Sequence, residues 1–225
     1  MGDVENKIIE LDSFTRAGLQ KVPIDFFEGD YLSKIYEEAL VLCVDMRGFS
    51  NFLSSNKESI VFKLLTQFTS NLLSCINQVG YGCSYYKLLG DGALVIWDEA
   101  SDAHLAEAVN VFRTYSEFLD EELFDEYPEL GFSGALVLEK IFKYEISAEA
   151  SQLKYRDYVG YGLNLACRLE NVGKKHQLIV NKVLAESGKI TFKKDTSEKA
   201  RNSLNLLKGL HDEDREAIYL FESLI

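Results

Sequence analysis

The chain has 225 residues, of which 47% are hydrophobic and 12% aromatic, so it can bury a substantial core and lacks the composition of a disordered protein. Its formal net charge of -12 argues against binding nucleic acid or an anionic membrane through a broad basic face. An anionic ligand must therefore be held locally, by metal ions or by backbone amides.

Cysteine spacing and the N-terminal sequence lead us to expect a protein of the reducing cytoplasm. The cysteines show no C-x-x-C spacing, and the first residues lack the charged-then-apolar pattern of a signal segment. No apolar run is expected to approach the length of a membrane span. Residues 1–37 contain Pro23, which would interrupt any long helix, and we expect them to form an arm that docks on the domain or on a second subunit. Residues 38–225 are expected to form one domain.

The first predicted element of this domain is a strand at residues 39–44, an uninterrupted apolar run typical of strands buried on both faces. The run ends abruptly at Asp45. A loop at residues 46–50, Met-Arg-Gly-Phe-Ser, then leads to a long amphipathic helix, for which Ser55 and Glu58 form a predicted capping box. A strand, a glycine loop and a helix start in this order can present backbone N–H groups to an anion.

A hairpin is predicted next, at residues 85–97. Two apolar, β-favouring runs flank Gly90-Asp91-Gly92, whose glycines tolerate the positive φ angles of a tight reversal. Lys87 lies inside the first strand of this hairpin. A solvated lysine on an edge strand is the simple explanation for it, and contact with a ligand is the alternative.

The rest of the chain is predicted to combine helices and strands. A helix is predicted at residues 103–127, a strand at 131–146, and a short helix that opens near Gly162 and closes at Gly173. Further strands are predicted at 177–181, 203–207 and 217–221. The order strand, helix, hairpin, helix, strand indicates an α+β, ferredoxin-like domain with additional C-terminal strands.

This topology is expected to bring two aspartates together. The second hairpin strand would run antiparallel to the first strand of the domain, so Asp45 at the end of one would face Asp91 at the start of the other. Two carboxylates in contact repel unless a cation lies between them, and oxygen ligands beside an anion-binding loop favour Mg²⁺ or Mn²⁺. The alternative is that both aspartates serve only as caps or turn formers.

Three sequence blocks resemble the signature blocks of class III nucleotidyl cyclases, the adenylate and guanylate cyclases, in order and spacing. They are Val-Asp-Met-Arg-Gly-Phe-Ser at 44–50, Lys-Leu-Leu-Gly-Asp at 87–91, and Tyr-Val-Gly-Tyr-Gly-Leu-Asn-Leu-Ala-Cys-Arg-Leu-Glu at 158–170. The resemblance covers residues 40 to 221. It implies a catalytic domain that works as a head-to-tail homodimer, in which each active site is shared between two chains.

Part of what the resemblance implies concerns the phosphates of a nucleotide. Asp45 and Asp91 would hold two divalent metal ions, Mg²⁺ or Mn²⁺. The loop after the first strand would bind phosphate, with the residues Arg47, Gly48, Phe49 and Ser50. Lys208, in Leu-Lys-Gly, resembles a C-terminal family block and could also touch phosphate, with a solvated lysine as an equal alternative.

The resemblance also implies contacts to the base and the ribose. Lys87 matches the base-selecting lysine of adenylate cyclases, and Asp157, three residues before Gly160, matches its acidic partner. Asn164 would orient the ribose. Arg168, one helical turn later and supplied by a second chain, would meet the charge that develops on the α-phosphate during attack by the ribose 3′-oxygen.

The identity of the base stays open at this point. A lysine donor and an aspartate acceptor match adenine, but cytosine presents the same pair, and uracil fits in another pose. Five tyrosines lie near these two residues in the sequence: Tyr85, Tyr86, Tyr155, Tyr158 and Tyr161. Their bulk could shrink a purine site until only a pyrimidine fits; the alternative is that they are simply strand aromatics. With no sensor or membrane module in the sequence, the chain resembles the pyrimidine cyclases of bacterial anti-phage (Pycsar) systems, which make cyclic CMP or cyclic UMP for a separate effector protein.

The function expected from these residues is conversion of a nucleoside triphosphate, with a lean to UTP or CTP, into a 3′,5′-cyclic nucleotide and pyrophosphate. One alternative is an adenylate cyclase that makes cyclic AMP. Another is a catalytically silent cyclase-like module that binds nucleotide; such modules usually lack a metal aspartate or the transition-state arginine, and this chain has both. The segment 134–140 lacks the additional glycines common in the family, which leaves the dimer contact open.

Overall fold

The computed structural model describes residues 32–148 and 153–225. The described residues divide into a larger compact unit of Lys34–Lys143 with Tyr158–Ile225 and a smaller unit that includes the described residues of Tyr144–Asp157. Most of the predicted arm, residues 1–37, lies outside the described residues, and a strand already begins at Leu32.

The described residues form one eight-stranded mixed sheet with helices between the strands. The strands are β1 (Leu32–Arg47), β2 (Tyr85–Leu88), β3 (Gly92–Trp97), β4 (Gly131–Ala148), β5 (Leu153–Val159), β6 (Leu178–Val180), β7 (Ile190–Asp195) and β8 (Ile218–Leu224). The helices are α1 (Phe49–Ser55), α2 (Glu58–Val79), α3 (Asp102–Phe118), α4 (Tyr161–Glu170), α5 (Lys182–Ala185) and α6 (Glu198–Asn205).

The strand order confirms the predicted core. The sheet runs β2-β3-β1-β4-β6-β8-β7, with β5 paired to β4. The first four strands of that order, with α2 and α3 as connections, form the ferredoxin-like arrangement. Strands β6, β8 and β7 extend the sheet beyond β4, and of these β7 was not predicted.

Strand β1 has hydrophobic neighbours on both faces, which explains its uninterrupted apolar sequence. Leu40, Leu42 and Val44 belong to a core shared with α2 and α3. Val41 and Cys43, which point to the opposite face because strand side chains alternate, belong to a second core shared with α4 and α6. The burial predicted for residues 39–44 is therefore confirmed, and β1 is held firmly up to the residue where its apolar run ends.

Helix α2 is long and apolar enough to span a membrane by length and composition, although no apolar run of that length was expected from the sequence. Core helices of globular proteins pass the same test. The buried side chains of α2 recur at helical period and pack into the first core: Val61, Leu64, Phe68, Leu72 and Ile76. The structure thus gives this apolar face a role in the core.

Two local predictions were wrong. Ser55 is the last residue of α1, a short helix that was not predicted, and α2 begins after Lys57 with no side-chain cap, so Ser55 and Glu58 do not form a capping box. The strand predicted at 203–207 overlaps α6 instead. Ser197 caps that helix by accepting a hydrogen bond from the backbone of Ala200.

Gly92 fixes how closely β3 approaches the end of β1. The register pairs Gly92 with Asp45. A Cβ on residue 92 would collide with the carbonyl oxygen of Val44 and would lie 2.9 Å from Oδ1 of Asp45. A side chain at this position would therefore push the hairpin away from β1.

Replacement of this glycine is expected to destabilise the protein. Gly92→Ala should lower the free energy of unfolding by about 3 kcal/mol, because the extra methyl meets a backbone carbonyl and overpacks the strand pair. Gly90→Ala is the matched control, since a Cβ at Gly90 meets nothing within 4 Å and only its φ of +85° is unfavourable. That control should cost about 1 kcal/mol. Urea unfolding of both variants is the measurement, and an equal or smaller loss for Gly92→Ala would contradict the account.

Candidate active site

Two acidic side chains lie next to each other at the end of β1. Asp45 is the third residue from the C-terminal end of β1 and pairs with Gly92 in the β1–β3 register. Asp91 directly precedes Gly92. The backbone N–H of Met46 donates to the carbonyl oxygen of Asp91 at 3.0 Å, which holds the hairpin turn against β1. The structure therefore brings Asp45 and Asp91 together, where the sequence analysis expected them.

The electrostatics of this edge favour a bound cation. The pKa of Asp45 is raised to about 7, first by burial and then by the nearby carboxylates of Glu170 and Asp91, against the opposing effect of the Arg47 guanidinium. Burial likewise raises the pKa of Glu170 above its ordinary value. Carboxylate oxygens that repel one another fit a hard divalent ion such as Mg²⁺ or Mn²⁺, so Asp45 and Asp91 are suited to hold such an ion.

Glu170 was missed by the sequence analysis as a site residue. It is the last residue of α4 and is 3% exposed. Its carboxylate accepts a hydrogen bond from Ser133 at 2.7 Å and pairs with Nη2 of Arg47 at 2.6 Å. The sequence signal that could have found it is a glutamate at the C-terminal end of a predicted helix, directly after Leu169 of the core stripe, where the helix dipole disfavours negative charge.

Arg47 is engaged within the larger unit. Its Nη2 also donates to the carbonyl oxygen of Glu170, and its Nε donates to Ser133 at 2.6 Å. The guanidinium thus ties the end of β1 to the end of α4. The sequence analysis gave Arg47 a phosphate-binding role, but in this structure its side chain is occupied, and any phosphate contact from this part of the loop would come from the backbone.

The rest of the predicted phosphate loop forms the start of α1. Gly48 has a φ of +87°, and a Cβ there would lie 2.7 Å from the carbonyl oxygen of Glu129, so only glycine fits. Phe49 is the first helical residue, no side chain caps the helix, and Ser50 is exposed. The backbone N–H groups of this first turn have no partner within the helix.

The two residues predicted on α4 lie on its accessible side. Asn164 is exposed and Arg168 is half-buried. The guanidinium of Arg168 lies against Gly209, in the turn after α6, where a Cβ would be 2.6 Å from Nη1. Lys208, in the same turn, is exposed.

The predicted base-reading residues belong to different units. Lys87 is exposed on β2 in the larger unit, and Asp157 is buried on β5 in the smaller one. The hydroxyl of Tyr155 donates to Oδ2 of Asp157 at 2.7 Å, which fixes the orientation of that carboxylate. Each residue is thus placed within its own unit.

The tyrosines near these residues have different surroundings. Tyr85, on β2, contacts the ring of the buried Tyr158 at a centroid distance of 5.1 Å. Tyr161 donates to Asp214 at 2.5 Å and accepts from the backbone of His211 at 2.8 Å. Tyr161 therefore organises the C-terminal loop, whereas Tyr85 lies two residues from Lys87, on the same face of β2.

Solved cyclase structures share this fold. The adenylyl cyclase CyaB from P. aeruginosa has a TM-score of 0.66 and 13% identity, over 86% of this chain and 96% of that chain. The guanylate cyclase domain of RhGC from Catenaria anguillulae, in complex with GTP, has a TM-score of 0.65 and 17% identity, over 85% and 100%. The catalytic core of a rhodopsin-guanylyl cyclase with converted specificity, in complex with ATPalphaS, has a TM-score of 0.64 and 17% identity, over 86% and 100%.

The chain has the fold of a class III nucleotidyl cyclase catalytic domain. The resemblance seen in its three sequence blocks is confirmed at the level of the fold. Neither a protein-family model nor a curated protein matches the sequence. At identities of 13–17% the structural similarity establishes the fold alone, so the activity of this cyclase-fold domain rests on its residues.

The Arg47–Glu170 pair is expected to stabilise the cyclase-fold domain. Glu170→Ala should lower the free energy of unfolding by about 3 kcal/mol, because it removes the acceptor of the hydrogen bonds from Arg47 and Ser133 and leaves a cavity in a mostly buried setting. Glu216→Ala is the matched control, since Glu216 pairs with Lys182 at 3.1 Å but its side chain is 58% exposed. The control should cost much less, because an exposed ion pair contributes little to stability. Urea unfolding that gives equal losses for the two variants would refute this role.

The pKa of Asp45 predicts how stability depends on pH when no metal is bound. The folded protein holds this proton more tightly than the unfolded chain, so stability should fall as pH rises from the ordinary value of 3.8 to about 7. Asp45→Asn removes the titrating carboxylate and therefore this loss of stability at high pH. In a chelator at pH 8 the variant should therefore unfold at a higher temperature than the wild type, and the difference should shrink at pH 5.

A divalent ion should reverse this ranking. Mn²⁺ is expected to raise the unfolding temperature of the wild type at pH 8 and to leave that of Asp45→Asn unchanged, because an ion that binds only the folded state stabilises it. Asp102→Asn, at a side chain that is 88% exposed, is the control and should respond to Mn²⁺ like the wild type. Equal responses of Asp45→Asn and the wild type would contradict the metal site.

Proposed function

We propose that this protein is a nucleotide cyclase that converts a nucleoside triphosphate into a 3′,5′-cyclic nucleotide and pyrophosphate. The observation that carries the proposal is the proximity of Asp45 and Asp91 at the end of β1, on a cyclase fold and beside the start of α1: Asp45 pairs with Gly92, and the backbone N–H of Met46 donates to Asp91. Together these features offer acidic oxygens for metal ions and backbone N–H groups for phosphate. Silent cyclase-like modules usually lack a metal aspartate or the transition-state arginine, and this chain has Asp45, Asp91 and Arg168.

The proposed reaction is attack of the ribose 3′-oxygen on the α-phosphate of the same nucleotide. Divalent ions held by Asp45 and Asp91 would supply the charge that lowers the pKa of the 3′-hydroxyl and holds the leaving pyrophosphate. The first turn of α1 would orient the phosphates through its backbone N–H groups. Asn164 would hold the ribose so that attack is in line, and Arg168 would donate to the α-phosphate oxygens as charge develops on them.

We further propose that Arg168 serves a site built with a second copy of the chain. Within one chain its guanidinium lies against Gly209, while the charges that act on Asp45 come from Glu170, Asp91 and Arg47. The surface around Lys87 also favours a partner: Tyr86, Leu88 and Leu89 are 51%, 40% and 44% exposed. A head-to-tail homodimer would cover these apolar side chains and bring Arg168 to the carboxylates of the other chain.

For the base, we propose a pyrimidine, so that UTP or CTP yields cyclic UMP or cyclic CMP as an anti-phage signal for a separate effector protein. Tyr85 is held beside Lys87 by its contact with the buried ring of Tyr158, and this bulk favours a smaller base. Lys87 and Asp157 would provide the donor and the acceptor. An adenylate cyclase is the second candidate, because the same two residues suit adenine, and one of the matched structures is an adenylyl cyclase.

The experiment that tests the activity is incubation of purified protein with ATP, GTP, CTP and UTP in Mn²⁺ buffer, with the products separated by mass. A 3′,5′-cyclic pyrimidine nucleotide is the expected product. If cyclic AMP is the only product, Lys87 and Asp157 would be assigned to binding adenine and the pyrimidine proposal would be overturned. No product from a folded dimer would overturn the cyclase proposal in favour of a silent binding module.

Two variants should separate the proposed roles. Asp91→Ala should abolish turnover, because one of the two metal-holding carboxylates is lost, and Arg168→Ala should slow it by on the order of a hundredfold or more. Asp102→Ala, at an exposed aspartate, is the control and should turn over like the wild type. Each variant is to be assayed after circular dichroism has shown that it is folded. Full activity of Asp91→Ala would refute the assignment of that residue.

A further inference from the structure

Two cysteine side chains meet between β1 and α4. The sulfur atoms of Cys43 and Cys167 lie 3.4 Å apart, although 124 positions separate the two residues in the sequence. Both are free thiols in this structure, as are Cys75 and Cys83. The sequence analysis saw no C-x-x-C spacing and gave no role to any cysteine, because this pair forms only when the sheet and α4 pack together.

The geometry of this pair suits a disulfide. An S–S bond is about 2.05 Å long, so the two sulfurs need to approach by only about 1.4 Å. Cys43 is 4% exposed within the second core, whereas Cys167 is half-buried on α4 and is the one that a small oxidant can reach. The Cys43 thiol donates its hydrogen bond to the Cys167 sulfur, an arrangement that favours a thiolate at Cys167.

We propose that Cys43 and Cys167 are a redox pair that a peroxide closes into a disulfide and a thiol reductant reopens. The Cys167 thiolate attacks one oxygen of the peroxide, so that an S–O bond forms, the O–O bond breaks, and the released hydroxide leaves as water after protonation. Cys43 then attacks the sulfenic acid sulfur of Cys167, the S–S bond forms, and the hydroxyl group leaves with the Cys43 proton as a second water. Two thiols are oxidised and one hydrogen peroxide is reduced to two waters.

The disulfide would join the two elements that carry the proposed catalytic residues. Cys43 lies two residues before Asp45 on β1, and Cys167 directly precedes Arg168 on α4. We expect closure of the gap between the sulfurs to shift α4 relative to β1, and a displacement of about 1 Å is enough to slow an enzyme about a hundredfold. The effect on turnover rests on the proposed function, whereas formation of the disulfide does not.

Tryptic mapping tests the disulfide without any substrate. Trypsin places Cys43 in the peptide 35–47, Cys167 in the peptide 157–168, and both remaining cysteines in the peptide 64–87. The purified full-length protein is reduced, desalted, treated with graded hydrogen peroxide, alkylated and digested without reductant. We expect peptides 35–47 and 157–168 to appear linked, two hydrogen masses below their sum, at peroxide levels that leave 64–87 alkylated, and dithiothreitol to release them.

Two results would overturn the redox pair. One is that Cys43 and Cys167 stay alkylated while Cys75 or Cys83 is oxidised, and the other is that Cys167 proceeds to sulfinic acid with Cys43 still free. A variant pair checks the assignment. Cys75→Ala, the control, should keep the link, whereas Cys43→Ala should lose it and let peroxide carry Cys167 to sulfinic acid.

Turnover measurements test the consequence separately. Peroxide-treated wild type should turn over at least tenfold more slowly than the reduced protein and recover in dithiothreitol, and Cys43→Ala should not respond reversibly in this way. A mapped disulfide with unchanged turnover would overturn the regulatory effect. Absence of turnover in the reduced protein would instead refute the proposed function, while the peptide map would still decide the redox pair.

Discussion

The buried contact between Arg47 and Glu170 is the interaction on which the rest of the site depends. Asp45, Asp91 and Glu170 place several carboxylates at one edge of the sheet, where burial and mutual repulsion raise the pKa of Asp45 to about 7. Arg47 opposes that repulsion, and its guanidinium also joins the end of β1 to the end of α4. This contact fixes the position of the sheet edge. One guanidinium does not neutralise the three carboxylates there, so the edge keeps the negative charge that a divalent-cation site requires.

Strand β1 holds the carboxylate of Asp45 in a fixed position because both faces of the strand are packed. Its alternate side chains belong to two cores, one shared with α2 and α3 and the other with α4 and α6. A strand held on both faces cannot rotate or slide, so the position of Asp45 is set by the whole larger unit. The same packing places Cys43 against Cys167, which is why the proposed redox pair and the proposed metal site share one strand.

Much of this arrangement could be predicted from local sequence. The apolar run of β1, the Gly-Asp-Gly turn and the helical periodicity of α2 and α3 each follow from short-range patterns, and the topology they imply brings Asp45 beside Asp91. The pairs Arg47–Glu170 and Cys43–Cys167 could not be predicted, because they join residues more than a hundred positions apart. Local patterns also misled where tertiary packing decided the outcome. Ser55 ends one helix and caps no other, and residues 203–205, read as part of a strand, lie in α6 because Leu204 is buried one helical turn after Ala200.

The proposed function requires that the carboxylates and the Arg168 of a single chain act in different sites of a dimer. This proposal can be tested by mixing Asp91→Ala chains with Arg168→Ala chains and purifying the mixed dimer through two different affinity tags. In such a dimer one of the two sites combines an intact Asp91 with an intact Arg168. We expect cyclic nucleotide synthesis to return in the mixed dimer at up to half of the wild-type rate, although each variant alone is inactive or nearly so. A purified mixed dimer with no more activity than the two variants alone would contradict the claim.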